Sequence, residues 1–505
     1  MTASTTPRRA EPTLAAEPLT CPATASPEPV AEGSAARAPR DDHRPTPNIL
    51  LGSLVLLLLF VVSAVRPLSG PEAWWHLRTG QWLAAHGQWV TPDPFLTLST
   101  HGFVATSWLG DLLAAIAYGV FGPPALVFLR AACVGGLGVL MLRSARLEAD
   151  PVPAALATGI GLAVTMTVGF DHLAGGMVLA MACVQLWRRT AQHGGLPWVV
   201  VPLTWVWASV DATWVLGPAI GAVTVAGLAT ADRARGRTVR LLALVAASVV
   251  AAGLTPAGPR LLAEVWRDPS LTGAQLGRNA FVALADPVVV LLVGIAVLVV
   301  AGWLRGGLVP SRWEAAQVAL AVALAVTVAS TAPAAACLLT PVAAGALQAL
   351  RSRPADRVGR SEAVTLALTA LVALVAATVL SVPAAALGHR LDPMSRLEPT
   401  LETLPAGTVV LDHIDISGRL LFSEPQLCLV IDPRLQMYDA SYLNDYLGTL
   451  NARPGWRQFV VSTAASAAVL PSEAPLAAAL VEQLGWRTLI ADGGYVVLQG
   501  PAMTP

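Results

Sequence analysis

The sequence predicts an all-α bundle of about eleven membrane-spanning helices, followed by a small α/β domain. The 505-residue chain is 55% hydrophobic and only 13% charged, and its mean hydropathy is +0.61. Apolar runs of about eighteen residues or more recur along it, which is long enough to cross a bilayer. Near the carboxyl end the pattern changes to short apolar strands and a helix separated by Gly and Pro, as in a small α/β domain.

The amino end lacks any hydrophobic period. Residues 1–47 are rich in Pro, Ala, Glu and Arg, a composition that cannot bury enough apolar surface to fold. We expect a disordered cytoplasmic tail. The apolar run 48–65 lies too far from the start and is too long for a signal-peptide core, so it is interpreted as an uncleaved signal anchor.

Arginine clusters divide the rest of the apolar sequence. The stretches 152–187, 197–230 and 313–350 lie between such clusters, and each would be about 50 Å long as a single helix, against a hydrocarbon core of about 30 Å. Each is therefore predicted to be a hairpin of two spans. Positive charge near span ends is retained in the cytoplasm, which places the hairpin turns and the carboxyl end outside.

The resulting domain prediction has three parts. The disordered tail is followed by a transmembrane domain at 48–390, whose first external loop covers 67–122. An extracytoplasmic α/β domain follows at 391–505. The predicted location is the cytoplasmic membrane of a bacterium, with several spans and the amino end inside.

Charge and motifs exclude several classes of function. The chain has 32 basic and 32 acidic residues and no lysine, so it lacks the basic surface that nucleic acid requires. Without lysine there is no phosphate-binding GxxxxGK[ST] loop, and neither HExxH nor a Cys/His cluster with zinc spacing is present. No cofactor is certain, and the sequence leaves any metal ligands unknown.

The stretch PEAWWHLRTGQWLAAHGQW concentrates polar and aromatic residues after the first span. Glu72 and His76 are four residues apart, so a helix beginning at Pro71 would place both on one face. Trp75 and Arg78 belong to the same helix. His76, Trp75 and Arg78 are candidate substrate-binding residues, together with Asp93 in the turn TPDPF.

Further polar residues are predicted at the same end of the bundle. Asp171 and His172 fall in one hairpin turn and Asp211 in the next. Ionisable groups near spans are costly, which suggests a use, and their position at one end argues against a transporter site at the midplane. The alternative is that tryptophans form an interface belt and the neighbouring charges only solvate a juxtamembrane helix.

The carboxyl-terminal stretch VIDPRLQMYDASYLNDY contains a second polar group. Asp432 and Arg434 follow an apolar strand, and Tyr438 begins a series of tyrosines spaced every four residues, as on one helix face. One interpretation is an Asp–Arg ion pair beside an aromatic packing stripe. The other is an acceptor or glycan site, because tyrosine offers a stacking face and a hydroxyl.

Three stretches carry a family resemblance: PEAWWHLRTGQWLAAHGQWVTPDPF, SWLGDLLAAIAYGVFGPPALVFLRA and LVIDPRLQMYDASYLNDY. They resemble bacterial multi-spanning proteins related to GT-C glycosyltransferases, in the mannosyltransferase and aminoarabinose transferase group. The resemblance extends over most of the chain from about residue 48. It implies an enzyme that transfers a sugar from a polyprenyl-phosphate carrier in the membrane to an acceptor hydroxyl on an envelope glycan, lipid or protein.

The resemblance also implies residue roles. A carboxylate of the first external loop is the candidate catalytic base, which here is Glu72, and a second acidic residue in the next loop is Asp171. The departing phosphate needs a cation or a divalent metal. The external arginines available for it are Arg78, Arg260, Arg267 and Arg278.

Departures from the family pattern leave an alternative open. The position of Glu72 is usually aspartate, and the second loop reads DHLAGG in place of an Arg-Pro pair. A histidine expected near Asp211 and an arginine expected in STAPAAAC are missing. The alternative is a non-catalytic relative that acts as a binding or assembly component in envelope glycan handling.

Overall fold

The computed structural model describes residues 70–95, 98–167, 174–229, 235–267, 286–307, 309–327, 331–351 and 359–501, and single residues or short pieces between 50 and 66. Asp171 and His172 lie outside the described residues.

Most of the described chain is helical. Two helices precede the long spans: α1 (Pro71–His86) and α2 (Trp108–Phe121). The bundle contains α3 (Pro123–Arg146), α4 (Pro151–Thr167), α5 (Ala174–His193), α6 (Val200–Val210), α7 (Leu216–Ala229), α8 (Arg235–Gly253), the short α9 (Arg260–Arg267), α10 (Pro287–Arg305), α11 (Arg312–Thr327), α12 (Ala332–Ala349) and α13 (Arg360–Leu391). Within the described ranges, six helical segments are long and apolar enough to cross a membrane: Pro123–Arg146, Ala212–Ala229, Gly236–Gly253, Pro287–Arg305, Ala332–Ala349 and Arg360–Leu391.

Each of the three long apolar stretches contains two helices, and one helical segment in each of the last two stretches, Ala212–Ala229 and Ala332–Ala349, is long and apolar enough to cross a membrane. The helices form the pairs α4 and α5, α6 and α7, and α11 and α12. The break in the middle pair is local. Asp211 has an extended backbone (φ −155°, ψ 142°), and its side chain accepts a hydrogen bond from the amide of Thr213, which starts a short 3-10 turn before α7.

The arginine-containing ends of the helices meet at one end of the bundle. Arg146, at the end of α3, forms a buried ion pair with Glu362 in the first turn of α13, with Nη2 to Oε2 at 2.8 Å. Arg188 of α5 pairs with Glu148 at 2.7 Å and lies over the ring of Trp313. The opposite ends of α3 and α13 adjoin α2 and the carboxyl-terminal region, respectively.

The carboxyl-terminal region is built on a five-stranded sheet. Its strands are β3 (Val409–Asp412), β4 (Cys428–Leu429), β5 (Ala467–Pro471), β6 (Arg487–Asp492) and β7 (Tyr495–Gln499), after the β1–β2 hairpin (Val90–Thr91, Phe103–Val104) of the first loop. The order is β4-β3-β5-β7-β6: β3 is parallel to β4 and β5, whereas β7 is antiparallel to β5 and β6. Its helices are α14 (Met394–Leu401), α15 (Ile414–Ser423), α16 (Ala440–Leu450), α17 (Trp456–Ser462) and α18 (Pro475–Leu484).

This region packs directly on the first loop. Phe422 of α15 contacts Trp74 of α1, with ring centroids 5.3 Å apart, and Tyr118 of α2, at 5.5 Å. The Arg419 guanidinium lies 4.6 Å from the Trp74 ring while it binds Asp392 at 2.9 Å. One apolar core therefore joins the sheet region to helix α1.

Candidate functional site

Helix α1 carries the first polar residues of the site. It begins at Pro71 and ends at Gly87, which has a left-handed backbone (φ 61°) suited to glycine. Glu72 lies in the first turn and His76 one turn later, so the helix predicted from the sequence does place them on one face. Both side chains are partly buried.

His76 is held by a carboxylate from the next helix. Its Nδ1 lies 2.6 Å from Oδ1 of Asp111, which is 3% exposed. The imidazole also stacks on Trp75, with ring centroids 3.7 Å apart. A Cβ at Gly80 would lie 2.0 Å from the Asp111 carbonyl oxygen, so glycine is needed for α1 and α2 to approach closely enough to form this pair.

Two more carboxylates act on the same imidazole. Burial opposes the charged form of His76, but the carboxylates of Asp111, Asp211 and Glu72 together hold its pKa above the usual value of 6.5. The largest favourable effect comes from Asp111, which combines charge with the hydrogen bond. Four ionisable side chains from α1, α2 and the end of α6 therefore form what we call the acid–histidine cluster: Glu72, His76, Asp111 and Asp211.

Asp211 is buried at the break between α6 and α7. Its Oδ1 accepts a hydrogen bond of 2.7 Å from the Thr213 amide and another from the Thr213 hydroxyl. Gly176 of α5 lies against it, since a Cβ there would be 2.8 Å from the Asp211 Cγ. The sequence predicted Asp211 at this end of the bundle, and the structure places its charge near His76.

An open cleft lies in the same first-loop region as the cluster. It has a volume of about 860 Å³ and lies between the β1–β2 hairpin and α9, with Asp93, His101, Arg260 and Glu264 among its lining residues. Glu264 also lines a narrow inner cavity, whose wall includes Trp75 and Asp111. Arg260 is exposed. Asp111 is thus the cluster residue that lines the inner cavity, whereas the open cleft is lined by Arg260 and by no residue of the acid–histidine cluster.

The second polar group predicted from the sequence forms a buried ion triad. Arg434 is 1% exposed and lies between Asp432, at 2.7 Å from Nε, and Asp93, at 3.0 Å from Nη2. Phe95 and Phe103 contact the guanidinium, at 5.0 and 5.6 Å from their ring centroids. Burial opposes the charge, but the two carboxylates raise the pKa of Arg434 overall. The triad joins the first loop to the carboxyl-terminal region.

The tyrosine series is only partly helical. Tyr438 precedes α16, which begins at Ala440, so it does not share a helix face with Tyr442 and Tyr446 as the spacing predicted. Tyr438 and Tyr442 nevertheless stack, with ring centroids 5.2 Å apart. The Tyr438 hydroxyl accepts a hydrogen bond from the Asp432 amide, and burial raises the pKa of Tyr438 well above its usual value. The hydrogen bond to Tyr438 thus helps to fix Asp432, one of the two carboxylates of the triad.

Arg78 lies beside the triad rather than in the acid–histidine cluster. Its guanidinium is 5.8 Å from the centroid of Phe95, and partial burial lowers its pKa. Of the candidate residues predicted from the sequence, Glu72, His76 and Asp211 lie in the cluster. Asp93, Asp432 and Arg434 form the triad.

Sequence reasoning did not select Asp111 or Glu264 as site residues. Asp111 had a signal, because it is the one carboxylate in the otherwise apolar stretch WLGDLLAAIAYGVF. Glu264 had none. Among the residues that the structure describes, no group of three or more His, Cys, Asp or Glu side chains is placed to hold a metal ion.

Solved structures with a similar fold align with almost the whole chain. ArnT from Cupriavidus metallidurans, in the apo state, aligns with a TM-score of 0.53 and 18% identity over 90% of this chain and 98% of that one. ArnT bound to undecaprenyl phosphate aligns with a TM-score of 0.51 and 16% identity, over 90% and 99%. The chain has a GT-C-type fold.

An archaeal enzyme supports the same fold. The Archaeoglobus fulgidus oligosaccharyltransferase, tethered to an acceptor peptide, aligns with a TM-score of 0.51 and 13% identity, over 84% of this chain and 69% of that one. A scan against known protein families and a search of curated proteins find no match.

Proposed function

We propose that this protein is a membrane glycosyltransferase that moves a sugar from a polyprenyl-phosphate donor to an acceptor hydroxyl on the outer side of the cytoplasmic membrane. The observation that carries the proposal is the acid–histidine cluster beside the open cleft. A GT-C-type fold and neighbours that include an undecaprenyl phosphate complex support it. The acceptor is an envelope glycan, lipid or protein.

The orientation follows from charge. The arginine-rich end of the bundle is cytoplasmic, because basic residues near span ends are retained there. The cluster, the cleft and the carboxyl-terminal region are then outside. In this orientation an acceptor reaches the cleft from the envelope while the donor tail stays in the bilayer.

Glu72 is the proposed general base. The acceptor hydroxyl transfers its proton to the Glu72 carboxylate while its oxygen forms a bond to the anomeric carbon. The bond from that carbon to the phosphate oxygen breaks, and the polyprenyl phosphate leaves with the electron pair. A positioned carboxylate contributes about 10²–10⁴-fold to such a step. Asp171 keeps its predicted role as a second acidic residue.

The leaving phosphate needs positive charge. His76 is one candidate, because the surrounding carboxylates raise the pKa of its imidazole, although the same carboxylates offset its charge. Arg260 lines the cleft and is the second candidate, with forked donors that match phosphate oxygens. A divalent metal is the other cation that the sequence leaves open, and the described acidic and histidine side chains contain no three-ligand site for it.

The test is transfer of labelled sugar in isolated membranes. Undecaprenyl phosphates that carry a radiolabelled hexose or pentose are supplied, and label that leaves the lipid fraction is counted. We expect transfer with the wild-type chain and a loss of about 10²-fold or more in Glu72→Gln. The matched control is Glu473→Gln, an exposed carboxylate of the carboxyl-terminal region, which should keep full activity.

The non-catalytic alternative gives a different result. If wild-type membranes transfer none of the labelled sugars above the level of membranes without the chain, while the purified chain still binds undecaprenyl phosphate, then the protein is a binding component. If Glu72→Gln retains full activity, the assignment of the base is wrong.

A further inference from the structure

The arginine-rich end of the bundle contains a large apolar cleft that the proposed reaction does not use. It has a volume of about 840 Å³ and opens between α3 and α13, within the range of about 300–1,000 Å³ typical of ligand sites. Small residues provide the space on both walls. They are Ala132, Gly136 and Gly138 of α3 and Ala363, Ala367 and Ala370 of α13, whereas Gly135 is covered by the ring of Phe60.

The cleft lies within the membrane-spanning part of the chain. Both of its main walls are helices long and apolar enough to cross a bilayer, and α13 is largely exposed along its length. A Cβ at Gly136 would meet only Val178, at 4.0 Å, so the wall of α3 does not fill the space itself. Apolar space open to a bilayer is favourably occupied by hydrocarbon rather than by water.

The mouth of the cleft carries a positive charge. Arg143 and Arg146 both line it. Arg146 is neutralised by Glu362 in a buried ion pair. Arg143 is exposed, and it forms neither an ion pair nor a hydrogen bond with any residue that the structure describes. Among the described residues, the Arg143 guanidinium therefore has no carboxylate partner beside this apolar space.

We propose that this cleft binds one anionic phospholipid from the leaflet at the arginine-rich end. An acyl chain lies between α3 and α13, and the phosphate contacts the Arg143 guanidinium. The complementary charge selects an anionic headgroup, as basic residues at the cytoplasmic surface do. Arg143 lies 20 residues after Pro123, the first residue of α3, so about 30 Å of helix separates the phosphate contact from the opposite end of α3. The bound lipid fills the gap beside α13, the helix that continues toward the carboxyl-terminal region.

The test uses the full chain in nonionic detergent and native mass spectrometry. Dioleoyl phosphatidylglycerol and dioleoyl phosphatidylcholine have equal acyl chains, so they separate the effect of the headgroup from that of the tail. We expect one retained phosphatidylglycerol per chain and weaker retention of phosphatidylcholine. Arg143→Gln should weaken phosphatidylglycerol binding about fivefold and leave phosphatidylcholine unchanged. The control is Arg305→Gln, an exposed arginine at the end of α10.

A second pair of variants tests the tail. Ala370→Phe fills the cleft and should reduce binding of both lipids, whereas Val372→Phe, two residues away on the exposed surface of α13, should not. Three outcomes overturn the proposal: equal binding of the two lipids, equal effects of Arg143→Gln and Arg305→Gln, or displacement of phosphatidylglycerol by undecaprenyl phosphate, which would assign the cleft to the polyprenyl lipid. Size-exclusion chromatography checks that each variant is folded. The comparison of the two headgroups uses Arg143→Gln and Arg305→Gln and does not depend on Ala370→Phe.

Discussion

At the scale of single residues, the defining feature is the imidazole of His76 among three carboxylates. Asp111 holds its Nδ1 at 2.6 Å, and Asp211 and Glu72 add negative charge without a direct bond to it. Such an arrangement favours the imidazolium, because an opposite charge nearby stabilises the charged form. The imidazolium offsets part of the negative charge of these carboxylates, whereas a neutral ring in the same place would offset none.

Asp111→Asn should lower the pKa of His76 toward its usual value of about 6.5, because the substitution removes one charge and weakens the hydrogen bond. Asp211→Asn should lower it less, since Asp211 acts through charge alone. The measurement is a pH titration by NMR of the isotope-labelled chain. The His76 signal is the one of the eight histidine signals that His76→Gln removes.

The sign of the pH dependence follows from the raised pKa. Binding of undecaprenyl phosphate that depends on the His76 cation is strong below the folded pKa and weakens as the pH rises through it. Asp111→Asn should move that loss to lower pH. An unchanged midpoint in both titration and binding would show that Asp111 does not control the charge of His76.

At the scale of elements, the first loop and the carboxyl-terminal sheet region form one unit through the buried triad. Arg434 lies 341 positions from Asp93 in the sequence, yet it binds both Asp93 and Asp432. The amides of Thr100 and His101 also donate to the carbonyl of Met437. The β1–β2 hairpin, which forms one wall of the cleft, is therefore fixed by the carboxyl-terminal region.

Arg434→Ala should destabilise the protein by about 3–5 kcal/mol, because two carboxylates remain buried without a partner. The measurement is thermal unfolding in detergent. The double variant Arg434→Met with Asp93→Asn should lose less than the sum of its single variants. Arg396→Ala is the control, since its pair with Asp492 is exposed and should change stability little. Equal losses for Arg434→Ala and Arg396→Ala would contradict a structural role for the triad.

The elements differ in how far the sequence predicts them. Arginine spacing predicts the hairpins, because bilayer thickness limits a span and the charged ends cannot enter the hydrocarbon. The contact between Asp93 and Arg434 could not be predicted, because it depends on how two distant segments pack. The series at Tyr438 failed for a local reason: residues 435–437 form a 3-10 turn, so the four-residue spacing does not continue through one helix.

The acid–histidine cluster is an intermediate case. The four-residue spacing of Glu72 and His76 gives one face of a helix, and hairpin geometry brings Asp211 to the same end. Asp111 could not be paired with His76 in advance, because the approach of α1 to α2 depends on the missing Cβ at Gly80. Which carboxylate reaches the imidazole is therefore a property of tertiary packing.

At the scale of the whole molecule, the two ends of the bundle are chemically different. One end contains buried and exposed arginines. The other contains the cleft lined by Arg260, the acid–histidine cluster and the sheet region. In a Cys-free background, Ser472→Cys in the sheet region should react with a membrane-impermeant maleimide in intact cells. Arg305→Cys should react only after permeabilisation. The reverse pattern would place the cluster in the cytoplasm and exclude an external acceptor.

The central claim is that the cleft beside the acid–histidine cluster receives the phosphate of a polyprenyl lipid. The most direct measurement is a cryo-EM structure of the chain in a nanodisc with undecaprenyl phosphate. We predict phosphate density in the cleft, within hydrogen-bonding distance of Arg260 or on the path past Glu264 toward His76. Phosphate density only at the arginine-rich end, with the cleft empty, would contradict the account.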